Sequence, residues 1–487
     1  MSFFKDLKDF IEFRKASSSA MTIEQLYTVY GEKYRDLIWL RGEPYELQQF
    51  YRQGNEYWSG SFWGSAPATK IHKIHSGIPR LMCHMLAEIV TRDLDGITAQ
   101  TEASTSDWEK IAQNTDINNV IKTAVRDALA FGDGAFRIIT APDEETPLIE
   151  FVPGYKCEFV RSAGGKVKAV IFKSTVRTDS GEVFVLHQIY GKGYIKYELY
   201  DRTEEKQYPL SQTPETAGLR EARWNGDLML AVPMLIRPSD KFSGRGDSIF
   251  EGKYAVFDAL DEVISQWADA VRKGRVKRYI PSNLFIRNPE NGKLKPFNDF
   301  DDNFVMTETD MGENAKNQII TSQAEIRSEQ YLQAYITYLD LAIQGIMSPS
   351  TLGIDTKKLD NAEAAREKEK ATLYTRNQII MSLSDALQKV VNVALQTYDI
   401  IRGQVQRPSE EITVNFGEYA NPSFESVVET MAKAKSAGIM SNEMVVNQLY
   451  GDSLTEIEKQ KEIDRLNGQD ASESPDAFIS AFDGEKF

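Results

Sequence analysis

The amino-acid sequence predicts an α+β protein in which helices predominate. Two stretches support this prediction: a pair of helical patterns between Ser322 and Gly403, and alternating apolar and polar residues between 135 and 240. The composition agrees, because 41% hydrophobic and 26% charged residues are typical of a globular protein with a substantial core. The length of 487 residues leaves room for about three domains.

The charge and the cysteines narrow the class of protein. A net charge of −15 argues against a protein that coats nucleic acid by neutralising phosphates, but not against one that surrounds DNA without gripping it. The two cysteines, Cys83 and Cys157, cannot form a disulfide framework, which indicates a reducing compartment. The N-terminus lacks the pattern of a signal peptide, and no segment approaches the ~18 apolar residues of a membrane span. We therefore expect a soluble protein without a membrane partner.

The N-terminal region is predicted to be helical. Residues 1–60 have the apolar spacing of amphipathic helices, and the aromatic tract at 45–64 predicts a loop that packs on a neighbour, with a subunit contact as the alternative. Residues 71–90 predict a helix buried on most sides. The first two of its histidines lack a nearby carboxylate or cysteine, so we interpret all three as core or interface residues rather than metal ligands. They are His72, His75 and His84.

A helix-to-strand turn is predicted at Gly132-Asp133-Gly134. It is not a phosphate-binding loop, because the helix precedes the strand and the Walker pattern is absent. The strands that follow predict a mostly antiparallel sheet. An Arg-Gly-Asp tripeptide at 245–247 is interpreted as a chance match within a linker.

Residues 248–273 predict a helix with an apolar stripe, ended by Gly274. Four polar residues lie roughly opposite the stripe: Glu262, Gln266, Asp269 and Lys273. A basic cluster surrounds the end of this helix: Arg272, Lys273, Arg275, Lys277 and Arg278. A small β-rich insert at 279–320 then separates this helix from the next, which predicts two antiparallel helices with the insert at their far end.

Two further helices are predicted between Ser322 and Gly403. Ser322 with Glu325, and Asp360 with Glu363, have the spacing of capping boxes. The second helix, up to Arg402, would be ~60 Å long. The remaining chain predicts a strand at 411–416, a cluster of helices with caps at Ser441 and Thr455, and an acidic, mobile tail.

The sequence shows no catalytic constellation. It lacks a P-loop, GxSxG, HExxH and any set of Cys and His at ligand spacing. With 72 acidic residues, carboxylate pairs occur by chance, which keeps a metal-dependent nuclease as a less favoured alternative. We expect no enzymatic activity, no catalytic residue, no metal and no cofactor.

Three segments together resemble a known family: SGRGDSIFEGKYAVFDALDEVISQWADAVRKGR, MSPSTLGIDTKKLDNAEAAREKEKATLYTRNQII and PSFESVVETMAKAKSAGIMSNEMVVNQLYGDSLTEIEKQKEI. Over nearly its whole length, the chain resembles a portal protein of tailed bacteriophages, of the group related to the siphophage gp6-type portals. The most specific segment is the Pro-Ser-Thr-Leu-Gly loop followed by a charged helix with Tyr374-Thr375-Arg376-Asn377.

The resemblance implies a homo-oligomeric ring, typically of twelve subunits, at one vertex of the capsid. Double-stranded DNA would pass through the ring during packaging and ejection. The implied partners are the terminase large subunit, a neck or head-completion adaptor, and the major capsid and scaffolding proteins. The protein would be made in the host bacterial cytoplasm and reside in the virion. The alternative is another virion ring, neck connector or scaffold component.

The resemblance also implies a portal fold divided into named regions. They are the wing at 1–247, the first stem helix at 248–275, the clip at 276–321, the second stem helix at 322–345, the tunnel loop at 346–361, a long helix and strand returning to the wing at 362–420, the crown at 421–470 and the tail at 471–487.

The candidate channel surfaces follow from these regions. In the stem, the polar face from Glu262 to Lys273 would line the channel or face solvent, and the basic cluster would form a band at the stem–clip junction; a solvated surface is its alternative interpretation. Six residues of the tunnel loop would face DNA: Ser348, Ser350, Thr351, Asp355, Lys357 and Lys358. The two lysines would form a second basic band.

Overall fold

The structure of the protein is a computed structural model. It describes residues 29–53, 60–65, 71–141, 144–178, 181–224, 226–275, 277–281, 304–307, 320–323, 325–353, 362–417, 424–450 and 456–472. The chain divides into two compact units, Met1–Phe416 and Gly417–Phe487. Helical residues outnumber strand residues, as the predicted fold class requires.

Nine helices are described in the first unit: α1 (Val29–Arg41), α2 (Pro44–Gln53), α3 (Ile78–Arg92), α4 (Glu102–Thr115), α5 (Ile117–Phe131), α6 (Pro214–Ala217), α7 (Tyr254–Lys273), α8 (Ser328–Ile343) and α9 (Ala362–Ile401). The described strands, all in this unit, are β1 (Leu94–Ala99), β2 (Asp133–Ile139), β3 (Leu148–Pro153), β4 (Cys157–Arg161), β5 (Val167–Arg177), β6 (Val183–Gly191), β7 (Tyr194–Asp201), β8 (Gln207–Tyr208), β9 (Ala222–Arg223), β10 (Ala231–Leu235), β11 (Lys277–Pro281), β12 (Phe304–Thr307), β13 (Ile320–Ser322) and β14 (Ile412–Phe416).

The described strands form four sheets. The largest runs β4-β5-β6-β7-β8, with β9 also pairing to β7, and a second has the order β10-β2-β3. Every pairing in these two sheets is antiparallel, which confirms the prediction for residues 135–240. A ribbon of β1 and β14 and a small sheet of order β12-β11-β13 complete the set.

The main core lies where α3, α5 and α9 pack with the sheet that contains β2. Leu86 of α3, Val125 of α5, Phe136 of β2 and Leu387 of α9 are all fully buried. The 40 residues of α9 correspond to ~60 Å, so this helix runs past several layers of the unit. Its buried stripe accounts for its stability, since isolated helices gain little from propensity alone.

The end of α9 confirms the predicted glycine stop. Gly403 has φ 66°, and the amide of Gln404 donates to the carbonyl of Asp399 at 2.9 Å. The amide of Gly403 donates to Ile400 at 3.1 Å, so the two bonds form a Schellman motif. The predicted cap at Asp360 lies outside the described residues.

Three predicted helix starts are wrong. The helix predicted from 71 begins at Ile78, because Gly77 takes a left-handed conformation (φ 72°). The helix predicted from 248 begins at Tyr254, since the Ser248 hydroxyl is engaged with the carbonyl of Ala130 at 2.7 Å. The predicted capping box at Ser322 is the end of β13 instead, where Ser322 pairs with Lys277.

The second unit is helical in its described residues. It contains α10 (Phe424–Ser436), α11 (Asn442–Tyr450) and α12 (Glu456–Ser472). The predicted cap at Ser441 is confirmed, because its hydroxyl accepts from the amide of Met444 at 3.2 Å. The cap at Thr455 and the tail beyond residue 472 lie outside the described residues. In the described part of the chain, no helix combines the length and apolarity that a membrane crossing needs.

Candidate channel surface

An antiparallel pair of helices, α7 and α8, includes five of the predicted channel-surface residues, all of them on α7. At one end of the pair, the Lys253 ammonium donates to the carbonyls of Leu341 (2.7 Å) and Gln344 (3.1 Å), which caps the C-terminus of α8. Toward the other end, the rings of Trp267 and Tyr331 stack with centroids 6.3 Å apart and planes 6° apart. The predicted antiparallel packing of these helices is therefore present.

The small sheet lies at the far end of this pair. Strand β11 follows α7, β13 precedes α8, and the two pair in antiparallel register with Tyr279 opposite Ile320. β12 joins β11 in parallel. A Cβ on Gly274 would lie 2.7 Å from Cγ1 of Ile326, so the turn out of α7 needs a glycine to let the strands and helices meet. Residues 282–303 and 308–319 of the predicted insert lie outside the described residues.

The first half of the polar face of α7 is covered by another part of the chain. The Asp258 carboxylate accepts the backbone amides of Phe62 (2.7 Å) and Trp63 (3.1 Å). Burial raises the pKa of the Asp258 carboxyl, and the two amide donors oppose that shift. The described end of the aromatic tract, residues 60–64, therefore packs on α7, and Trp63 is fully buried there. The start of the tract forms α2 (Pro44–Gln53) instead of the predicted loop.

One turn further along α7, Asp261 binds the same segment more extensively. Its fully buried carboxylate accepts from Trp63 Nε1 (3.0 Å) and from the amide of Ser76 (2.8 Å), and lies 2.7 Å from Nδ1 of His75. The hydroxyl of Ser265 accepts from the amide of Ile74 at 2.9 Å. We call Asp258, Asp261 and Ser265 the clasp, because together they hold residues 61–65 and 71–76 on α7.

His75 therefore packs inside the unit, against a carboxylate 186 residues away. The interpretation of His75 as a core histidine agrees with its buried side chain. Among the described residues, no group of three or more His, Cys, Asp or Glu is arranged to hold a metal ion.

Of the four predicted channel residues, Glu262 lies in the first half, next to the clasp, and Gln266, Asp269 and Lys273 lie in the second half. Gln266 Nε2 donates to the carboxylate of Glu262 at 2.8 Å, and the Lys273 ammonium lies 2.7 Å from Asp269. Gln266 and Lys273 are exposed, and both carboxylates are half-buried. The structure thus brings all four onto one face, with each carboxylate partly neutralised by a neighbour. Their position in a channel stays a prediction.

The predicted basic band is present as a group of exposed side chains. Arg272 and Lys273 occupy the last turn of α7, where the helix dipole favours cations. Arg275, Lys277 and Arg278 follow in the turn and in β11, also exposed. These five residues lie where the helix pair meets the small sheet, and their role as a basic band at a stem–clip junction in contact with DNA stays a prediction.

The first part of the predicted tunnel loop lies against α9 instead of projecting from the chain. Ser348 is only 2% exposed, and its amide donates to the hydroxyl of Thr372 at 2.9 Å. The Thr351 hydroxyl shares a hydrogen bond with the same threonine at 2.8 Å, and the Ser350 hydroxyl is also buried. A role for these three in the channel requires this packing to open. The other candidates, Asp355, Lys357 and Lys358, lie outside the described residues.

A family match covers most of the chain. Residues 51–475 match the family described as phage portal protein, SPP1 Gp6-like. The chain belongs to this portal family. A comparison with curated proteins found no match.

Solved structures that contain similar chains come from gene transfer agent (GTA) particles. A chain of the virion of the native particle is 11% identical, with TM-score 0.42, and the match covers 90% of this chain and 98% of that chain. A chain from the neck of the empty particle, computed with C6 symmetry, is 12% identical with TM-score 0.43, covering 80% and 94%. One from the neck of the native particle, computed with C12 symmetry, is 13% identical with TM-score 0.40, covering 77% and 90%.

The sequence interpretation missed a buried ion pair in this portal chain. Arg245 donates from Nε to Asp133 at 2.7 Å, and Lys33 Nζ lies 3.2 Å from the same carboxylate. Burial alone would raise the pKa of Asp133, but its hydrogen bonds with Arg245 and the charge of Lys33 lower it. The interpretation of the Arg-Gly-Asp tripeptide as part of a linker is wrong, because Arg245 joins three parts of the unit.

A signal for this pair was present in the sequence. Both charged residues are flanked by glycines, and a Cβ on Gly246 would lie 1.9 Å from the carbonyl oxygen of Gly132. Glycine on both sides lets the two backbones approach closely enough for Asp133 and Arg245 to meet. Two Gly-X-Gly triplets with opposite charges in the middle therefore predict such a junction.

Proposed function

We propose that the chain forms a closed ring at one vertex of a phage capsid, through which double-stranded DNA is packaged and later ejected. The observation that carries this proposal is the portal family match over residues 51–475, which includes the helix pair and the sheet at its tip. The family is one of structural rather than catalytic proteins. The ring would reside in the virion.

The helix pair with the sheet at its far end supports the assignment of the stem and clip. In this proposal α7 and α8 form the stem, β11 to β13 belong to the clip, and the helices of the second unit form the crown. The clip would contact the terminase motor during packaging and the neck adaptor afterwards. The wing would face the major capsid and scaffolding proteins.

Exposed apolar residues on α8 support a subunit interface. Leu332 is 43% exposed and Leu341 is 42% exposed. Few of the sixteen residues of α8 are charged. A ring with cyclic symmetry uses a heterologous interface, so one surface of each subunit covers a different surface of the next. Leu332 and Leu341 lie nine residues apart, on opposite sides of α8, and each is a candidate contact with a neighbouring subunit.

The electrostatics of the stem support passage of DNA rather than tight binding. On α7, Glu262 and Asp269 each have a polar or cationic neighbour, so the face repels phosphates only moderately. The basic band provides local attraction at the stem–clip junction. A surface that combines acidic residues with a few basic ones lets DNA slide, because only a few contacts between phosphates and cationic side chains must break at each step.

Native mass tests the ring. Twelve copies of a 55.1 kDa chain give roughly 660 kDa. Leu332→Glu with Leu341→Glu should shift the assembly toward monomers, since charges would be buried at the interface. Val405→Glu is the matched control, because Val405 is 94% exposed and far from α8 in sequence. A wild-type protein that stays a monomer or dimer under all assembly conditions would contradict the proposal.

A further inference from the structure

Residues 61–65 form a single tight turn on the surface of α7. The amide of Ser65 donates to the carbonyl of Ser61 at 3.0 Å, which closes the turn. Two amides near its start donate to the Asp258 carboxylate of α7 at 2.7 and 3.1 Å. A turn of this kind directs its amides to one side and its carbonyls to the other. The anion on the amide side therefore leaves the carbonyl side to be bound by a donor.

The carbonyl side of the turn surrounds the ammonium group of Lys73. Its Nζ donates to the carbonyl of Phe62 and, at 3.1 Å, to the carbonyl of Trp63. Ser65 provides its hydroxyl oxygen at 3.1 Å and its carbonyl oxygen at 3.4 Å. We call these four oxygen atoms the cage. A protonated lysine has three N–H donors and no acceptor, so the cage provides an acceptor for every donor.

Two aromatic rings add to the preference of the cage for a cation. Nζ of Lys73 lies 4.7 Å from the ring centroid of Phe62 and 5.7 Å from that of Trp63. The face of an aromatic ring attracts a cation at such distances. Burial lowers the pKa of Lys73, the charge of Arg52 adds to that shift, and two carboxylates of α7 oppose it. The oxygens and rings favour the charged form, so the cage offsets part of the cost of burial.

Lys73 also connects the two segments that the clasp holds. The residues that follow it, Ile74 and Ser76, donate their amides to clasp residues of α7 at 2.9 and 2.8 Å. The turn at 61–65 is held by the clasp through N–H groups alone, since an ionised carboxylate has no hydrogen to donate to a carbonyl. The ammonium of Lys73 therefore binds the side of the turn that the carboxylates cannot bind.

We propose that residues 62–65 form a binding site for a primary ammonium group, and that the chain fills this site with its own Lys73. Without the cation, the turn opens while Ile74 and Ser76 stay bound to α7. A small alkylammonium ion then enters the empty cage and closes the turn again. Lys73 is half-buried, so solvent has access to the site.

Hydrogen–deuterium exchange of the full-length protein tests the role of the charge. In Lys73→Ala we expect about tenfold faster exchange across residues 61–65, because the carbonyl side loses its donor, with the amides of Ile74 and Ser76 still slow. Lys73→Met keeps an unbranched side chain without the charge and should open the turn as much. Lys168→Ala, which removes an exposed lysine of β5, is the matched control and should leave the turn closed.

Two outcomes of this experiment would overturn the proposal. Wild-type exchange of the turn in Lys73→Met would show that packing, rather than charge, holds residues 61–65. Equal acceleration at Ile74 and Ser76 in both Lys73 variants would show that the side chain supports the whole segment instead of filling a local site.

Propylammonium chloride tests the class of ligand. This ion has the three carbons and the nitrogen that Lys73→Ala removes, so we expect a concentration series to slow the exchange of residues 61–65 toward the wild-type rate. n-Propanol has the same carbon chain without the charge and should leave the rate unchanged. The wild-type cage is filled, so neither compound should affect it.

Absence of any slowing by propylammonium, in a variant whose turn has opened, would contradict an ammonium site. Equal slowing by n-propanol would contradict it as well, because the gain would then come from filling a void. Neither measurement uses the ring or DNA, so the result for the cage is independent of the proposed function.

Discussion

The two halves of the polar face of α7 have different environments. In the first half, Asp258, Asp261 and Ser265 are covered by residues 61–65 and 71–76 and bind their amides and side chains. In the second half, Gln266 and Lys273 are exposed and bond only within the helix among the contacts observed in the described chain. α7 thus binds another segment of the chain through its first half and presents exposed polar side chains in its second half.

The difference shows that burial decides what a carboxylate does on a helix. Where another segment supplies amide donors, an aspartate holds that segment in place, and its loss leaves buried donors unpaired. Where its observed partner is an exposed lysine of the same helix, as for Asp269, an aspartate holds no other segment and its pair contributes little to stability. Substitutions in the two halves should therefore separate folding from function.

The largest expected effect follows from removing the clasp at its centre. Asp261→Ala leaves the Trp63 indole, the His75 ring and the amide of Ser76 without their acceptor. Each buried donor left unpaired costs ~1–3 kcal/mol, so we expect a loss on the order of 3–5 kcal/mol of unfolding free energy. Chemical denaturation measures the loss, and hydrogen exchange should show residues 71–77 opening first.

Asp269→Ala is the matched substitution in the second half. It breaks one pair with the exposed Lys273, for which we expect a loss below about 1 kcal/mol. The contrast between the halves would be contradicted by similar losses for the two variants, or by an Asp269→Ala protein in which residues 71–77 also open.

The pH dependence of stability probes the anchored start of α7. The hydroxyl of Tyr254 donates to Asp36 of α1, and burial raises the pKa of Asp36 to about 7 from 3.8. Because the folded state holds the proton more tightly, this contribution to stability is complete below about pH 4 and is lost as the pH rises to about 7. At roughly 1.4 kcal/mol per pKa unit, the loss amounts to a few kcal/mol.

Asp36→Asn removes this titration. We expect the variant to match the wild type near pH 4 and to be more stable by a few kcal/mol at pH 8, as measured by denaturation at both values. Parallel stability profiles of the two proteins would show that the anchored start of α7 does not depend on the protonation of Asp36.

Much of the fold could be predicted from the sequence because it follows from local patterns. The 3.6-residue spacing located α7 and α9, and the alternation between 135 and 240 located the antiparallel sheets. Helix starts were less predictable, since Ser322 has the spacing of a capping box but pairs with Lys277 in a sheet. A strand partner 45 positions away decides that case, and local spacing carries no information about it.

The candidate site was predicted less completely for the same reason. The helical wheel grouped the four polar residues of α7 on one face, and the sequence showed the basic cluster at the end of that helix. The clasp could not, because the wheel gives the direction of Asp261 but not the segment that covers it. The hydrogen bond from the Ser348 amide to Thr372 was also missed, since a threonine inside a helix shows no sign of a backbone amide arriving from another segment.

The smallest effect on stability, with the most direct bearing on function, is expected at the free end of α7. Arg272→Gln with Arg275→Gln neutralises two exposed cations, and the weakened helix-dipole interaction should cost less than about 1 kcal/mol. If the basic band contacts DNA, packaging should fall while the denaturation midpoint and the native mass of the ring stay close to wild type. Lys168→Gln, a neutralised exposed lysine on β5, is the control for a general change of charge. Wild-type packaging in the double variant would contradict a contact between the basic band and DNA. The cations at the end of α7 would then be solvated surface residues.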